Sequence, residues 1–393
     1  MRATAILAGW LLSVAAVSFA EAQVTPHLHP APPEPISGEK LEAAMRRGVA
    51  FLVTTQNEDG SWGSSRWNGG VDRDPVPGSH HSFKTATTAL CLEALLDSED
   101  SENVRSARLR AESYLLRELP NLRRADPGNL PNVWGHCYGI QVLAELHRRS
   151  QPGDTARRKQ LEETIRGQML ALRRFETVNG GWFYYADGIT QKPLAPSCSF
   201  VNAAVLLALH RAKTVGIEAE GPTLERALRM TRLQRKPDSS FLYSISSELD
   251  RGNAMTPINR PSGSLGRSQA GNLCLRRFGD KQITDTVLRE WLDRLITRNG
   301  WLDMGRKRPI PHESHAQVAG YFFYFGHYYG ALCIAELPPR DRPFYQDHVA
   351  GLLLPLQEQD GSWFDYPLYS YHKPYGTAFA LLSLQQCRKA VAP

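Results

Sequence analysis

Glutamate and histidine residues in the second half of the 393-residue sequence have the types and spacing of a metal site. Glu313 and His315 are two positions apart, and His372 follows 57 residues after His315. Carboxylate and imidazole groups are zinc ligands, and three of them leave a fourth position open for water or substrate. We therefore predict that Glu313, His315 and His372 can hold a zinc ion. The alternative is that these side chains only form a polar rim by hydrogen-bonding loop carbonyls.

A second set of residues could perform acid–base chemistry without a metal. Histidine titrates near neutral pH and serves as a general acid or base. The candidate catalytic residues are His136, Tyr138 and His81, each near the start of a predicted apolar helix. Arg267 and Cys198 have similar positions and are candidate substrate-binding residues. In this interpretation the arginine would neutralise a uronate.

The segment from Tyr321 to Tyr329 is unusually aromatic. On a helix, Tyr321, Tyr324 and Tyr328 would share one face. If that face points inward, the rings would line an apolar or sugar-stacking cavity, and aromatic faces also stabilise cations. If it points outward, the rings would only pack against other helices. The sequence leaves both possibilities open, and we treat these tyrosines as candidate substrate-binding residues.

Aromatic landmarks recur along the chain at intervals of about sixty residues. They are Trp62, Trp182, Phe241, Trp301 and Trp363, with gaps of 120, 59, 60 and 62 residues. The first gap is twice the period, which indicates a degraded landmark near Leu119-Pro120-Asn121. A fixed period of this length is the signature of a repeat architecture. Six such units account for nearly all of the chain.

Each unit contains two stretches with helical periodicity. The first ends near an Asn-Gly or Asp-Gly pair and carries charged residues on one stripe, whereas the second is apolar on nearly every side, as in Val201–Ala212. A helix that is apolar all round must be buried. An open solenoid would also need polar capping units, yet the first and last units have the best landmarks. The sequence therefore predicts an all-α fold, an (α/α)6 toroid that forms a single barrel over residues 39–393.

Two of the landmarks belong to a longer motif. Gln56-Asn-Glu-Asp-Gly-Ser-Trp62 and Gln357-Glu-Gln-Asp-Gly-Ser-Trp363 share the pattern Gln-x-x-x-Gly-x-Trp. This pattern resembles the QW repeat of terpenoid cyclases such as squalene–hopene cyclase, whose superfamily includes the protein prenyltransferases. The resemblance implies a toroid around a central apolar cavity for an isoprenoid-like molecule. It also implies that the Gln and Trp residues are structural.

The sequence departs from this superfamily at its catalytic motifs. The Asp-x-Asp-Asp acid of the cyclases is absent, and the nearest string is Asp97-Ser-Glu-Asp100. In the place of the prenyltransferase Asp-x-Cys zinc motif, Pro196 stands two positions before Cys198. The length suffices for one barrel, whereas the squalene–hopene type has two. The resemblance therefore predicts the fold more firmly than the activity.

Composition and the N-terminal segment indicate export. Arg2 precedes an apolar run that ends at Ala20-Glu21-Ala22, which predicts a signal peptide over residues 1–22 and a periplasmic or extracellular protein. The proline-rich residues 23–38 are predicted to form an extended linker.

No other stretch reaches the ~20 apolar residues of a membrane span. The net charge of +6 comes from scattered residues, so we expect no nucleic-acid partner.

Three functions remain open at this point. The first is the binding or transformation of a small hydrophobic molecule in a central cavity. The second is a polysaccharide lyase or hydrolase on the same toroid. The third is a non-catalytic envelope binding protein, and a partner protein for it is unknown. A deep aromatic cavity would favour the first, an open groove with arginine the second, and a plugged centre the third.

Overall fold

Helices are the dominant element of the computed structural model, which describes residues 28–71, 77–122, 133–184, 194–246 and 256–389. The predicted signal peptide lies outside these residues. Six outer helices are α1 (Gly38–Thr54), α3 (Glu102–Glu118), α5 (Thr155–Phe175), α7 (Gly221–Gln234), α9 (Asp285–Thr297) and α12 (Arg342–Leu353). Six inner helices are α2 (Pro77–Leu96), α4 (Val133–Arg149), α6 (Ser199–Lys213), α8 (Leu265–Arg277), α11 (Phe322–Ala335) and α13 (His372–Gln386).

Shorter elements of the described structure include 3-10 helices at Leu119–Asn121, Pro257–Asn259, Leu354–Leu356 and Tyr369–Tyr371. A short helix, α10 (Gly300–Asp303), lies between α9 and α11. Strand β1 (Ser197–Cys198) pairs antiparallel with β2 (Ser244–Ile245). Within the described ranges, none of the helices combines the length and apolar character that a bilayer crossing requires.

The inner helices form a closed ring. Each packs against the next in the order α2, α4, α6, α8, α11 and α13, and α13 packs against α2. The physical reason is their composition, since residues 201–209 of α6 are buried without interruption. The outer helices are amphipathic instead; α9 buries Leu288, Trp291, Leu292 and Leu295 on one stripe. This arrangement confirms the predicted all-α toroid of six hairpins in a single barrel.

Three of the landmark tryptophans occupy equivalent buried positions. Trp62, Trp182 and Trp363 are fully buried. Each indole N–H donates to a carbonyl ten residues earlier in the chain, at the end of the preceding outer helix. A buried indole needs such a partner. The landmark therefore fixes where each outer helix ends relative to the loop that follows it.

In the fourth unit a phenylalanine occupies the landmark position and keeps the hydrogen bond of the landmark's backbone N–H to the next inner helix. In the fifth unit the landmark residue has a different position. The backbone N–H of Phe241 donates to the Ser268 hydroxyl of α8 (3.2 Å), as that of Trp363 donates to Thr377 of α13 (3.0 Å). Trp301, by contrast, lies in α10 and is only partly buried. A shared spacing of about sixty residues is therefore not sufficient evidence of an equivalent position.

The motif glutamines connect neighbouring outer helices. The Gln56 amide donates to the Ala107 carbonyl of α3 (2.9 Å), and the Gln357 amide donates to the Ala44 carbonyl of α1 (2.9 Å). In the third unit the equivalent residue is Glu176, whose carboxylate forms a bidentate ion pair with Arg226 of α7. The Gln357 contact joins the last unit to the first, so it closes the outer ring.

The seam between the last and first units is tightly packed. Gly361 has φ of +87°, and a Cβ atom there would lie 2.6 Å from the Arg47 carbonyl oxygen of α1. Only glycine fits such a close approach in this backbone conformation. Beyond α13, Arg388 forms a bidentate ion pair with Glu42 (2.8 and 3.1 Å).

Residues 28–37, here called the N-terminal strap, lie against the outer surface. His29 Nδ1 lies 2.9 Å from the Asp293 carboxylate of α9, and its ring stacks on Phe344 of α12 (4.9 Å). The Ile36 N–H donates to Asp347 of α12 (3.0 Å), and the same carboxylate binds Lys389 (2.9 Å). Residues 28–37 form neither helix nor strand, and these contacts hold them against α9 and α12.

Replacing Trp363 with Ala should lower the free energy of unfolding by roughly 3–5 kcal/mol, because a fully buried ring and its hydrogen bond are lost. Urea denaturation followed by circular dichroism measures this change. Trp67→Ala is the control, since Trp67 is 49% exposed, and it should cost less than about 1 kcal/mol. Equal losses in the two variants would show that the landmark has no special structural role.

Candidate functional site

An aromatic chamber of about 280 Å³ lies among the N-terminal halves of five inner helices. Its rings come from the inner helices (Phe83, Trp134, Tyr138, Phe200, Phe322, Phe325, Tyr375, Phe379) and from loops (Tyr184, Tyr321, Tyr366). The rest of the lining is Ala86, Thr87, Leu90, Pro311, His312 and Leu368. The lining described thus contains no Asp, Glu, Lys or Arg. Such a surface suits an apolar ligand.

The rings of the chamber wall pack on one another. Trp134 stacks between Tyr138 (5.7 Å between centroids) and Phe200 (6.0 Å). Phe325 is nearly perpendicular to both Trp134 and Phe200. Stacked and edge-to-face contacts are the favourable geometries for aromatic pairs. The wall is therefore preformed by ring–ring packing between α4, α6 and α11.

A buried carboxyl group, Asp365, lies behind this wall. It accepts hydrogen bonds from the backbone N–H of Tyr324 in α11 (3.0 Å) and from the hydroxyl of Tyr375 in α13 (2.8 Å). Burial raises the pKa of Asp365 to about 7, although both hydrogen bonds oppose the change. Because Tyr375 lines the chamber, this pair places an exchangeable proton at the wall of an apolar cavity.

Hydroxyl groups are concentrated on another part of the wall, in a tyrosine cluster formed by Tyr184, Tyr243 and Tyr321. The hydroxyls of Tyr184 and Tyr243 are 2.9 Å apart, and either can be the donor. The Tyr321 hydroxyl lies 3.2 Å from Nε2 of His312, whose Nδ1–H donates to the Gln317 carbonyl (2.7 Å). Tyr184, Tyr321 and His312 line the chamber, whereas Tyr243 lies outside the lining.

Arg267 lies behind the tyrosine cluster rather than in the chamber. Its side chain is buried, and its guanidinium donates to the carbonyls of Phe241, Gly263 and Ile258. The Cζ atom is 5.5 Å from the centroid of the Tyr243 ring. The prediction that Arg267 contacts substrate directly is therefore not supported by its position, because backbone carbonyls surround it.

The predicted substrate-binding tyrosines are divided between different environments. Tyr321 lines the chamber, whereas Tyr324 is outside the lining and contacts Asp365 through its backbone. Tyr328 lies deeper in the barrel, where its hydroxyl accepts a hydrogen bond from Gln141 (2.7 Å). Cys198 is fully buried in β1 outside the lining, and burial raises the pKa of its thiol. Only Tyr321 of these four can touch a ligand in the chamber.

Two of the three predicted catalytic residues are directed toward outer helices. Nδ1 of His136 is 2.7 Å from the Gln168 side-chain oxygen of α5, and burial lowers the His136 pKa to about 4. Nε2 of His81 is 3.0 Å from the Glu118 carboxylate at the end of α3. Tyr138, in contrast, lines the chamber. Polar partners on the outer helices explain why the histidines do not point inward.

The structure does not bring the predicted zinc ligands together. Glu313 pairs with Arg308 (3.2 Å), the His315 ring packs against the indole of α10, and Nδ1 of His372 is 2.6 Å from the Tyr369 carbonyl oxygen. Among the residues that the structure describes, no group of three His, Cys, Asp or Glu side chains has the arrangement of a metal site. The zinc site stays a prediction without a supporting ligand cluster.

A second, polar cavity of about 420 Å³ lies at the opposite end of the barrel. Arg211 of α6 pairs with both Glu93 and Glu145. The Gln141 amide donates to Glu93 (2.7 Å) and joins this group to Tyr328. The lining has four carboxylates and three arginines that form ion pairs with one another, so this cavity differs from the aromatic chamber in being charged.

Sequence reasoning missed most of the residues that form the chamber. Trp134, Phe200 and Phe322 stand in the first turns of three inner helices. Their recurrence at the start of successive apolar helices is a signal that could have identified them. Asp365 follows the Trp363 landmark by two residues, and no feature of that loop sequence distinguishes it from a solvent-exposed aspartate.

No protein-family model and no curated protein matches the sequence. Solved structures are similar in fold. Cellobiose 2-epimerase from Spirochaeta thermophila has a TM-score of 0.57 at 14% identity, over 89% of this chain and 97% of its own. A family 76 glycoside hydrolase from a bovine Bacteroides thetaiotaomicron strain has a TM-score of 0.54 at 12% identity, over 88% and 77%. A D-mannose isomerase has a TM-score of 0.54 at 11% identity, over 89% and 97%.

These similarities define the fold class. Identities this low show the fold alone, and the protein is an α/α toroid. The type II terpene cyclase MstE from Scytonema has a TM-score of only 0.48 at 14% identity. The comparisons therefore support the toroid part of the sequence resemblance, but they do not assign the chain to the terpenoid cyclases or prenyltransferases.

Replacing Asp365 with Asn should change the pH dependence of stability. The folded-state pKa of about 7 is above the ordinary value of 3.8, so the native state binds the proton more tightly. The contribution of this carboxyl group is full below about pH 4 and is lost as the pH rises through 7. The free energy of unfolding of the wild type minus that of Asp365→Asn should therefore fall between about pH 4 and pH 8, by up to about 4 kcal/mol.

Urea denaturation of both proteins across this pH range measures the difference. His136 and His327, whose pKa values burial lowers to about 4, affect stability in the opposite direction. They are present in both proteins, so their effects cancel in the subtraction. A difference that is constant with pH would contradict the assignment.

Proposed function

We propose that this protein binds a small hydrophobic, isoprenoid-like molecule in the aromatic chamber. The observation that carries the proposal is the lining, in which eleven of seventeen residues are Phe, Tyr or Trp and none of the described ones is charged. Burial of apolar ligand surface against such a wall is favourable, at roughly 25 cal/mol per Å². The sequence resemblance to toroids with central apolar cavities supports the same ligand class.

The described lining is less suited to a polysaccharide lyase or hydrolase. Glycoside hydrolysis requires two carboxyl groups flanking the bond that breaks, roughly 5 to 9.5 Å apart. Among the described residues, the carboxyl group behind the wall is that of Asp365, and Tyr375 connects it to the chamber. A lyase would need a cation at the substrate, and Arg267 is enclosed by carbonyls. Carbohydrate binding therefore becomes the alternative outcome of the binding test.

A chemical step is favoured by the pair of Asp365 and Tyr375. A carboxyl group with a pKa near neutral is suited to general acid catalysis, and the Tyr375 hydroxyl connects it to the chamber. We propose that Tyr375 donates its hydroxyl proton to the bound molecule while the protonated Asp365 donates its own proton to the Tyr375 oxygen, which leaves Asp365 as a carboxylate and the molecule one positive charge richer. A non-catalytic envelope protein would bind the ligand equally well without this pair.

We further propose that the mature protein is exported. The support is the sequence of residues 1–22, with its basic residue, apolar run and small-residue cleavage pattern. A periplasmic or extracellular toroid would bind its ligand outside the cytoplasm. Mass determination of the protein from a culture that expresses the full chain tests for cleavage after Ala22.

Ligand binding can be measured with the neutral fluorescent probe N-phenyl-1-naphthylamine, whose emission rises in apolar sites. Farnesol should displace the probe from the wild type, whereas cello-oligosaccharides should not. Phe200→Ala should weaken binding of the probe about tenfold, because a ring of the chamber wall is removed.

The matched control is Phe344→Ala, since Phe344 packs against the strap on the outer surface. Its probe affinity should equal that of the wild type. Displacement by cello-oligosaccharides but not by farnesol would replace the proposed function with the carbohydrate alternative. Equal affinity of the Phe200→Ala variant and the wild type would show that the probe binds elsewhere.

A further inference from the structure

The loop that leads into α11 forms part of the chamber wall. Pro311 and His312 line the chamber, whereas the residue before them, Ile310, is 51% exposed. Consecutive residues therefore contact the ligand space and the solvent. Residues 307–313, here called the flap, are all exposed or only partly buried. A movement of these few residues would connect the chamber with the solvent.

The two ends of the flap have an uncommon backbone conformation. Lys307 has φ of +63° and His312 has φ of +64°. Residues with a Cβ atom seldom adopt this left-handed conformation, because the Cβ atom crowds the following carbonyl oxygen. Between these two residues, Pro309 and Pro311 restrict the backbone of the tip. A stiff tip between two strained residues is suited to hinged movement, since hinges are a few loop residues that absorb large changes in φ and ψ.

The base of the loop is packed firmly on both sides of the flap. A Cβ atom at Gly305 would lie 2.6 Å from the Val318 carbonyl oxygen, so the two halves of the loop meet there. The Ser314 hydroxyl donates to the Val318 carbonyl and accepts from its N–H (3.2 and 3.1 Å). The Lys307 N–H donates to the Asp365 carbonyl (2.5 Å). The segment that can move while this base stays in place is therefore the flap.

His312 holds the inner side of the flap against the body of the ring. Its Nδ1–H donates to the Gln317 carbonyl (2.7 Å), and its Nε2 is 3.2 Å from the Tyr321 hydroxyl. Its ring also contacts the edge of the Tyr243 ring (5.6 Å between centroids). These contacts place the imidazole in the chamber wall when the flap is closed.

Surface contacts hold the outer side of the flap. Lys307 pairs with Glu358 (2.6 Å), and Nε of Arg308 donates to the Met304 carbonyl (2.7 Å). Arg308 also pairs with Glu313 (3.2 Å), and this contact lies within the flap and moves with it. Exposed ion pairs contribute little net free energy, because water solvates the separated charges well. The outer contacts therefore oppose opening only weakly.

The flap belongs to the unit in which the landmark tryptophan has moved. In three units an indole hydrogen bond fixes the loop that leads to the inner helix. In the fifth unit Trp301 lies in α10, and residues 304–321 follow without helix or strand before α11 begins. Connecting loops of this length are uncommon and are usually functional. This loop is held by the contacts described above rather than by a landmark indole.

We propose that the flap is a gate of the aromatic chamber, which turns about Lys307 and His312 to admit the ligand and closes over it. This inference rests on the proposed function, because it supplies the route by which a hydrophobic molecule enters the chamber. If the flap closes in the same way over the empty and the occupied chamber, a looser gate speeds entry and exit by the same factor. The equilibrium affinity then stays unchanged.

Lys307 is the position for the test, since it is outside the described lining and one of the two hinges. Lys307→Gln, Lys307→Asn and Lys307→Val all remove the ion pair with Glu358 and the contact with the Phe364 ring (4.5 Å). They differ in backbone preference, because asparagine readily adopts a positive φ and β-branched valine resists it. Lys307→Gln is therefore the reference for the other two variants.

Stopped-flow fluorescence with N-phenyl-1-naphthylamine measures the association and dissociation rate constants of each variant. Relative to Lys307→Gln, we expect Lys307→Val to raise both constants about threefold and Lys307→Asn to lower both about twofold. The dissociation constants of the three variants should agree within about 1.5-fold. Circular dichroism verifies folding, and Lys307→Thr, which is also β-branched, replaces Lys307→Val if that variant is unstable.

The outcomes separate this inference from the proposed function. Equal rate constants in the three variants would overturn the gate and leave the hydrophobic-ligand function standing. A change in the dissociation rate constant alone, with a matching change in affinity, would also overturn it, since the flap would then be a fixed part of the binding surface. If the wild type does not bind the probe at equilibrium, the proposed function fails, and the gate fails with it.

Discussion

The constraint on which this structure depends is that its inner helices are buried on nearly every side. A helix of this kind cannot have a face in water, so each one needs neighbours on both flanks and an outer helix behind it. A row of six would leave two apolar flanks exposed, and closing the row into a ring removes both. The contact of α13 with α2 is therefore a requirement of the composition. The Gln357 hydrogen bond to Ala44 secures the same closure in the outer layer.

The chamber is a consequence of this closure. Six helices in a ring leave a bore along their common axis, and close packing demands that side chains fill it or that a cavity remains. At the opposite end, Tyr328, Gln141 and the ion pairs of Arg211 line the polar cavity. At the N-terminal end of the inner helices, large aromatic rings border the chamber and leave a cavity between them. The same ring–ring contacts that stabilise the wall also hold its shape without a ligand.

The repeat architecture could be predicted from the sequence because it is encoded many times over. The first, third and last units each combine the amphipathic outer helix, the glycine turn, the buried tryptophan and the inner helix, and the other units keep part of this set. A failure in one unit, such as Trp301 in α10, does not alter the conclusion drawn from the others. Local physical rules determine every one of these features, and they act over a few residues.

The site could not be predicted in the same way, because it depends on which direction each inner side chain faces. An inner helix that is buried all round has no hydrophobic periodicity from which to read its rotation. His136 and Tyr138 are two residues apart on α4, yet one contacts α5 and the other lines the chamber. His136 and His81 are predicted to be catalytic, but their rings hydrogen-bond polar side chains of the outer helices. Asp365 became significant only through burial, which is a property of the folded ring and not of the loop that contains it.

The contacts of Asp347 have a consequence for chain connectivity. This one carboxylate binds the Ile36 amide at the start of the described chain and the Lys389 amine at its end. The two ends of the described chain are therefore neighbours on the outer surface of the ring. A short peptide could join them while new ends are opened at a surface turn between two hairpins, such as that at Gly279. We therefore expect a circularly permuted chain, with these ends joined and new ends at such a turn, to form the same toroid.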